Sequence, residues 1–251
     1  MSGHSKWATI KRKKGAIDAA RGKLFTKLIR EIVIAARMGG GDIEANSRLR
    51  KAVGEAKSNQ MPNDTIARAI KRGTGEIAGE NYEEVLYEGT GPGGTLFLVE
   101  GTTDNRNRTA AELRKLFDKN NGALAGGGSA AWAFERKGVI ELDRSVSEEQ
   151  LMETAVEAGA EDYEDAGETW LVYTSVDSFM DINGAVEAAN IQPKSSKIAY
   201  IPTTKKEVRG RDAEVCLNLV DALDEHDDVA NVYADFDVPD DELQRIGSDE
   251  S

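Results

Sequence analysis

The hydrophobic positions in the first third of the chain recur with the period of an α-helix. Over residues 17–38 the apolar side chains fall on one side of a helical wheel and the basic side chains on the other. Three glycines at 39–41 end this pattern, and a second helix follows that Asn46 or Ser47 can cap. A third, shorter helical stretch completes the set. The pattern predicts a small helical bundle over residues 1–79.

Beyond this region the period changes to that of β-strands. Two runs, residues 82–88 and 95–102, flank a turn rich in glycine and proline and predict a hairpin. The segment from Thr109 to Glu112 has the form of a capping box and predicts the start of a helix there. A last helix and strand near the C-terminus need a sheet to join, and we expect the hairpin to provide it.

Residues 138–202 alternate in the order strand, helix, strand, strand, helix, strand, which is the order of the ferredoxin-like pattern. We therefore expect an α+β multidomain protein. Its predicted parts are a basic helical domain (1–79), a discontinuous α+β domain (80–135 and 206–240), an inserted ferredoxin-like α+β domain (136–205) and an acidic tail (241–251).

Charge divides the chain into two unlike parts. The sequence holds 32 Lys and Arg against 45 Asp and Glu, for a formal net charge of -13, which alone argues against a polyanionic partner. Residues 1–79, here called the head, hold 17 of the basic residues and 7 of the acidic ones. The head therefore carries +10, and residues 80–251, here called the body, carry -23. A basic head on an acidic body favours nucleic acid as the partner of the head.

Basic residues of the head are candidate phosphate contacts, because some share one face of the first predicted helix and others lie in the polar N-terminal segment. The alternative is a solvated cationic face, but only Asp18 and Glu31 offset ten basic residues among the first 37. Trp7 could stack on an exposed base or fold back onto the bundle. The predicted nucleic-acid contacts are Lys6, Trp7, Lys11, Arg12, Lys13, Lys14, Lys23, Lys27, Arg30 and Arg37.

A second candidate anion site lies at Arg106 and Arg108. Both precede the helix predicted to start at Thr109, and the dipole of a helix disfavours cations at its N-terminus. A bound phosphate or carboxylate would offset that cost, and so would salt bridges to the acidic body. The sequence leaves both alternatives open.

Other classes of protein find little support in the sequence. Residues 89–94 satisfy G-x-G-x-x-G, but a strand follows where a dinucleotide site needs a helix, so we interpret them as a turn. His4 and His226 are the only histidines and Cys216 the only cysteine. We therefore expect no catalytic residues, no metal, no cofactor and no small-molecule substrate, and a protein that is not an enzyme. With no apolar run of about 18 residues and no signal-peptide pattern, we expect a cytoplasmic protein without a membrane partner.

Several motifs resemble those of the YebC family, and they occur in the family's order from one end of the chain to the other. The chain departs from the family pattern at Ala20, at Thr90 and at the loop 125–127, where a basic residue, an aromatic residue and a more polar loop are common. The matching motifs are Gly3-His4-Ser5-Lys6-Trp7, Gly22-Lys23, Phe25-Thr26-Lys27, Ala35-Ala36-Arg37, Gly39-Gly40-Gly41-Asp42, Ile70-Lys71-Arg72-Gly73-Thr74-Gly75, Gly91-Pro92-Gly93-Gly94, Asp104-Asn105-Arg106-Asn107-Arg108-Thr109 and Asp227-Asp228-Val229-Ala230-Asn231-Val232-Tyr233-Ala234.

The resemblance implies a three-domain protein that acts in gene expression. Bacterial members are described as probable transcriptional regulators that bind DNA, mitochondrial relatives as translational activators, and some bacterial relatives act on ribosomes stalled at proline-rich stretches. The predicted function is a DNA-binding transcriptional regulator, with an RNA-binding, ribosome-associated translation factor as the alternative. The expected partners are DNA or ribosomal RNA, together with the transcription machinery or the ribosome. A pure protein-binding adaptor is less favoured.

Overall fold

The structure is a computed structural model that describes residues 17–249, with the side chains of residues 22–247. The helices are α1 (Ile17–Gly39), α2 (Ser47–Ser58), α3 (Asn63–Gly73), α4 (Arg106–Lys119), α5 (Glu148–Leu151), α6 (Phe179–Ala188), α7 (Gly210–Asp224) and α8 (Asp240–Asp249). The strands are β1 (Glu83–Gly91), β2 (Thr95–Thr103), β3 (Ala123–Ala125), β4 (Phe134–Asp143), β5 (Asp162–Asp165), β6 (Thr169–Thr174), β7 (Ser195–Pro202), β8 (Lys206–Glu207), β9 (Val229–Ala234) and β10 (Phe236–Asp237). A π-helical turn, Met152–Val156, continues α5.

The first three helices pack together around one apolar cluster, as the helical period predicts. Leu28, Ile32, Leu49, Val53 and Ile66 are buried in this cluster. Leu28 and Ile32 are four residues apart on α1, and so are Leu49 and Val53 on α2, so each of these helices turns one apolar face inward. The predicted helices of the head are confirmed.

A buried asparagine fixes the turn between α1 and α2. The side-chain oxygen of Asn46 accepts a hydrogen bond from the Leu49 amide (3.0 Å), which caps α2. Its side-chain nitrogen donates to the carbonyls of Ala35 and Gly40 (2.8 Å each) at the end of α1. A Cβ on Gly39 would lie 2.6 Å from that nitrogen, so the glycine makes room for the cap. Of the two predicted caps, Asn46 is the one used.

The hairpin and the C-terminal strand form one antiparallel sheet in the order β3-β1-β2-β9. The prediction that the last helix and strand join the hairpin is confirmed. Residues 89–94 form the end of β1 and a tight 3-10 turn before β2, so they make a hairpin turn and not a dinucleotide loop. Helices α4 and α7 contribute much of the core that packs against this sheet. Phe97 of β2, Phe117 of α4 and Leu217 of α7 are fully buried there.

The second sheet has the order β5-β6-β4-β7 and is antiparallel throughout. Along the chain its elements run β4, α5, β5, β6, α6, β7, so the predicted βαββαβ order is confirmed. Its core contains Ile140, Leu151, Trp170 and Ile182. In sequence this unit lies between β3 and β9 of the first sheet.

Two predictions are wrong in their details. Helix α4 begins at Arg106 with Asn105 as its cap, because the Asn105 side chain accepts from the Arg108 amide (3.1 Å). Thr109 is therefore inside the helix, and no capping box starts there. Most of the predicted acidic tail also belongs to helix α8. Leu243 and Ile246 of this helix are buried in the core of the first sheet. Within residues 17–249 no helix has the length and apolarity that a membrane span requires.

Candidate nucleic-acid interface

The basic face of α1 lies against the acidic end of α7. The ammonium of Lys27 donates to the carbonyl of Asp224 (2.8 Å), which is the last residue of α7. The ammonium of Lys23 lies 3.9 Å from a carboxylate oxygen of Glu225. Cations are favourable at a helix C-terminus, where the carbonyls point outward and the dipole is negative. Two of the predicted phosphate contacts thus face carbonyls and a carboxylate of the body.

Arg30 is held most tightly of the predicted contacts. One of its terminal nitrogens lies 2.8 Å from a carboxylate oxygen of Asp228 and also donates to the carbonyl of Asp227. The guanidinium lies 5.3 Å from the centre of the Tyr82 ring, a cation–π distance. Only 12% of the Arg30 side chain is exposed. In this arrangement Arg30 is not open to a phosphate, because an ion pair within the chain uses its charge.

The other predicted contacts are placed differently. Arg37 is exposed at the end of α1 and donates to the carbonyl of Tyr82 (2.6 Å), so part of its guanidinium stays open to solvent. The remaining predicted residues, Lys6, Trp7, Lys11, Arg12, Lys13 and Lys14, lie outside the described part of the chain.

Asp228 is the centre of a buried polar cluster. Its second carboxylate oxygen accepts from Arg108 (2.7 Å), Thr109 (2.6 Å) and Thr103 (3.3 Å). Burial disfavours the charged carboxylate, but the hydrogen bonds from Thr109 and Arg108 and the charges of Arg108 and Arg30 together lower the pKa of Asp228. Asp228 is therefore ionised at neutral pH and joins the head to the body.

Salt bridges explain the two arginines at the start of α4. Arg108 pairs with Asp228 and with Asp104 (2.8 Å), and Arg106 pairs with Glu83 (2.9 Å). The hydrogen bond to Asp228 raises the pKa of Arg108 further above its ordinary value. Of the two alternatives that the sequence left open, the structure shows the salt bridges to the acidic body.

One group of side chains near Asp228 has the composition of a cation site. Glu112, His226 and Asp228 each offer an oxygen or nitrogen within 4.8 Å of the others. His226 Nδ1 accepts from the Asp228 amide (3.1 Å), so in the neutral ring the proton lies on Nε2, which donates to Glu112 (2.9 Å). Two guanidiniums already neutralise Asp228. The donor set is thus satisfied by its own hydrogen bonds and fits a metal poorly.

The open cationic face of the head is on α3. Arg68, Lys71 and Arg72 are exposed and spaced by three and four residues, so they share one face of the helix. Arg68 and Arg72, with Ile29 and Thr65, line a groove between α3 and α1. Among residues 22–247 no carboxylate lies at salt-bridge distance from these three cations.

A close helix contact positions this face. A Cβ on Gly73 would lie 2.5 Å from the carbonyl oxygen of Val33 and 2.6 Å from the Cβ of Ala36. The end of α3 therefore rests directly on the backbone of α1, with Lys71 and Arg72 beside the contact. In the sequence this segment forms part of a family motif, but its cations are not among the predicted nucleic-acid contacts. Their spacing opposite Ile66, Ala69 and Ile70 was the available signal.

Family models match the chain on both sides of the connection between head and body. One, for the TACO1/YebC protein N-terminal domain, matches residues 5–76. The other, for the TACO1/YebC second and third domain, matches residues 82–236. The chain belongs to the TACO1/YebC family. The resemblance noted from the sequence motifs is thus confirmed.

Relatives within the TACO1/YebC family cover the chain almost completely. A probable transcriptional regulatory protein of Trichlorobacter lovleyi is 52% identical over 246 residues, which cover 98% of this chain and 100% of that protein. A probable transcriptional regulatory protein of Geobacter sulfurreducens is 51% identical over the same length and coverage. The crystal structure of a conserved hypothetical protein from Aquifex aeolicus is similar with a TM-score of 0.83 and 44% identity, covering 90% of this chain and 93% of that one.

In this TACO1/YebC chain, two separate family motifs meet at one point together with a residue of α1. Residues 104–109 supply Arg108 and Thr109, residues 227–234 supply Asp228, and Arg30 comes from the helix that carries the N-terminal motifs. The cluster therefore links the two regions that the family models match separately.

Proposed function

We propose that this chain is a nucleic-acid-binding regulator of gene expression and that its head binds duplex DNA. The observation that carries the proposal is the α3 face of Arg68, Lys71 and Arg72, which is exposed and has no carboxylate partner within residues 22–247. Cations without a carboxylate partner can neutralise phosphates and release counterions. The names of the relatives support a role in transcription.

The body is suited to a different task. With a charge of -23 it repels phosphates at long range, so it keeps nucleic acid on the head. We assign three of the apolar clusters to a helical bundle, an α+β domain and a ferredoxin-like domain inserted into it. The boundaries are those predicted from the sequence, except that α8 joins the α+β domain. The protein acts in this proposal by binding and not by catalysis.

The α3 face also contributes to a wider surface. Arg37 is exposed at the end of α1, and the N-terminal residues of the predicted set add further positive charge to the head. Phosphate contacts fix the position of a protein on nucleic acid without reading its sequence. Because phosphates are common to DNA and RNA, ribosomal RNA is the alternative target, as in the translation role implied by the family.

The test is the triple substitution Arg68→Gln/Lys71→Gln/Arg72→Gln. Each lost phosphate contact lowers the slope of log affinity against log salt by about 0.9 on duplex DNA and about 0.7 on single strands. We expect weaker binding at low salt and a slope reduced by about 2 to 3. Thermal unfolding should stay close to that of the parent, since the three side chains are exposed.

The matched control is Arg114→Gln/Lys115→Gln/Lys119→Gln, which removes the same charge from exposed positions of α4 in the body. Binding is measured at several salt concentrations on a DNA duplex and on isolated ribosomal subunits. The proposal is supported if the α3 substitutions reduce the slope on DNA and the control substitutions do not. A reduction seen only on ribosomal subunits would favour a role in translation. Equal slopes for the parent and both variants on both targets would overturn the proposed interface.

A further inference from the structure

The contact between head and body is polar. The buried residues of each apolar cluster in the described chain lie wholly in the head or wholly in the body, and Tyr82, which packs against the head cluster, lies in the connection between them. The two regions are joined by ion pairs and hydrogen bonds such as Arg30 to Asp228, Arg48 to Glu84 and Lys51 to the carbonyl of Ser196. Contacts of this kind resemble transient interfaces between domains, which open and close more readily than a shared apolar core.

The basic face of α1 is incompletely satisfied in the closed contact. Arg30 has a buried Nε for which residues 22–247 provide no hydrogen-bond partner. Burial lowers the pKa of Lys27 despite the nearby charges of Asp224 and Asp227. Removing two cations from water costs much of what their ion pairs contribute. Because a polyanion gives these cations new partners instead of leaving them unpaired, it can compete with the carboxylates for this face.

The connection between the two regions has the properties of a hinge. Residues 74–82 lie between α3 and β1 outside any helix or strand, and residues 74–81 are exposed. Gly75 has a φ of 81°, in the left-handed region that favours glycine. A segment with few buried contacts can change its backbone angles at little cost.

We propose that residues 224–228 are an autoinhibitory segment that pairs with a second nucleic-acid surface of the head, formed by Lys23, Lys27 and Arg30. The carbonyls and carboxylates of this segment occupy the positions that phosphates take in the open form. Nucleic acid bound first at the α3 face competes with the segment, and the head turns about residues 74–82. This inference rests on the proposed function, because it assigns regulation to the same head.

The geometry explains why closure does not remove all binding. The α3 face stays exposed in the closed form, so the first encounter needs no opening. Opening then releases Lys27 and Arg30 from their partners in the body and takes Glu225 away from Lys23, which is already exposed, so the number of phosphates contacted rises from one form to the other. A ligand shifts such an equilibrium because it makes more contacts with the open state.

The experiment weakens the contact between residues 224–228 and α1 without changing any residue of the head. In Glu225→Lys/Asp227→Lys, two exposed carboxylates of the segment become cations that repel α1, while Asp228 and all the head's cations stay in place. The control is Glu153→Lys/Glu157→Lys, which makes the same charge change at two exposed positions, one in the π-helical turn and one directly after it. A neutral pair, Glu225→Gln/Asp227→Asn, serves if the charge reversal impairs folding.

We measure binding to a mixed-sequence DNA duplex against salt, and the radius of gyration by small-angle X-ray scattering. The release variant should bind more tightly at low salt, with a slope larger by about 2 to 3, since each added contact contributes about 0.9. Its radius of gyration should exceed that of the parent and the control. The neutral variant Glu225→Gln/Asp227→Asn should also increase the salt slope and the radius of gyration, by a smaller amount.

The outcomes separate this inference from the proposed function. If the release variants show the slope and the radius of the control while the α3 triple variant still loses slope, the autoinhibitory segment is wrong and the binding head stands. If the parent and the release variants bind neither DNA nor ribosomal subunits, both proposals fail together.

Discussion

Arg30 of the head and Asp228 of the body meet at 2.8 Å although they come from opposite ends of the chain. Asp228 is 2% exposed and also accepts from Arg108, so one carboxylate fixes the position of α1 and the start of α4 at once. The backbone carbonyl of the same residue accepts from the Thr102 amide (2.7 Å) in β2. The contact between head and body therefore lies at the end of the first sheet.

Substitution Asp228→Asn tests the energy of this arrangement. It leaves two guanidiniums facing a neutral amide, one of them almost buried. Breaking a buried ion pair from one side commonly costs about 3 to 5 kcal/mol, and we expect the free energy of unfolding to fall by about 3 kcal/mol. Urea denaturation measures the change. The control Asp118→Asn, at an exposed position of α4, should stay within about 0.5 kcal/mol of the parent. Equal losses in the two variants would contradict the shared-carboxylate arrangement.

Acid should remove the stabilising effect of Asp228. Its pKa is lowered in the folded protein, so its contribution is fully present above the unfolded pKa of about 3.9 and is lost as the pH falls through the lower folded pKa. The difference in unfolding free energy between the parent and Asp228→Asn should therefore be constant near neutrality and shrink below about pH 4. Urea denaturation of both proteins across this range checks the sign. A difference that grows on acidification would show that the folded protein favours protonated Asp228.

Local patterns predicted much of this fold. The helical period identified α1 and α2, and the alternation of residues 82–88 and 95–102 identified the first two strands. Asn46 was a predicted cap because short polar side chains reach the first amides of a helix. These features depend on residues that are near one another in sequence.

The candidate site depends on residues far apart in sequence, which local patterns cannot join. A helical wheel showed that Lys23, Lys27 and Arg30 share a face, but not that an acidic helix end lies against it. Thr109 matched a capping box, yet its hydroxyl donates to Asp228 instead. The charge of its exposed-looking face led to the prediction of contacts on α1. The spacing of the α3 cations indicated an exposed face as well, but only the packing shows that the α1 cations have acidic partners and that the α3 cations have none within residues 22–247.

The C-terminal helix gives a second test of the fold. Composition predicted a polar tail, but Leu243 is 2% exposed and packs in the main core of the body. We expect Leu243→Ala to lower the free energy of unfolding by about 2 to 5 kcal/mol, the usual cost of truncating a buried leucine. The neighbouring substitution Gln244→Ala, at an exposed position of the same helix, should have little effect. If both variants unfold like the parent, α8 does not contribute to the core.

Substituting alanine for two glycines of the head, Gly73 and Gly54, should change the stability in opposite directions. The φ of Gly73 is not in the left-handed region, so the position requires glycine for space and not for backbone freedom. An added Cβ would lie 2.5 Å from the carbonyl of Val33, a backbone atom that cannot move without separating α3 from α1. Overpacking of this kind costs about 1 to 3 kcal/mol, so Gly73→Ala should lower the stability of the head.

Gly54 lies inside α2, and a Cβ there would meet nothing within 4 Å. Alanine favours a helix interior over glycine by about 0.5 to 1 kcal/mol, so Gly54→Ala should raise the stability by up to that amount. Urea denaturation followed by helical circular dichroism compares the two variants with the parent. Because Arg72 precedes Gly73, the destabilising variant should also weaken nucleic-acid binding at low salt, whereas Gly54→Ala should leave it unchanged. Stabilisation by both substitutions would mean that α3 and α1 are farther apart than the contact at Val33 requires.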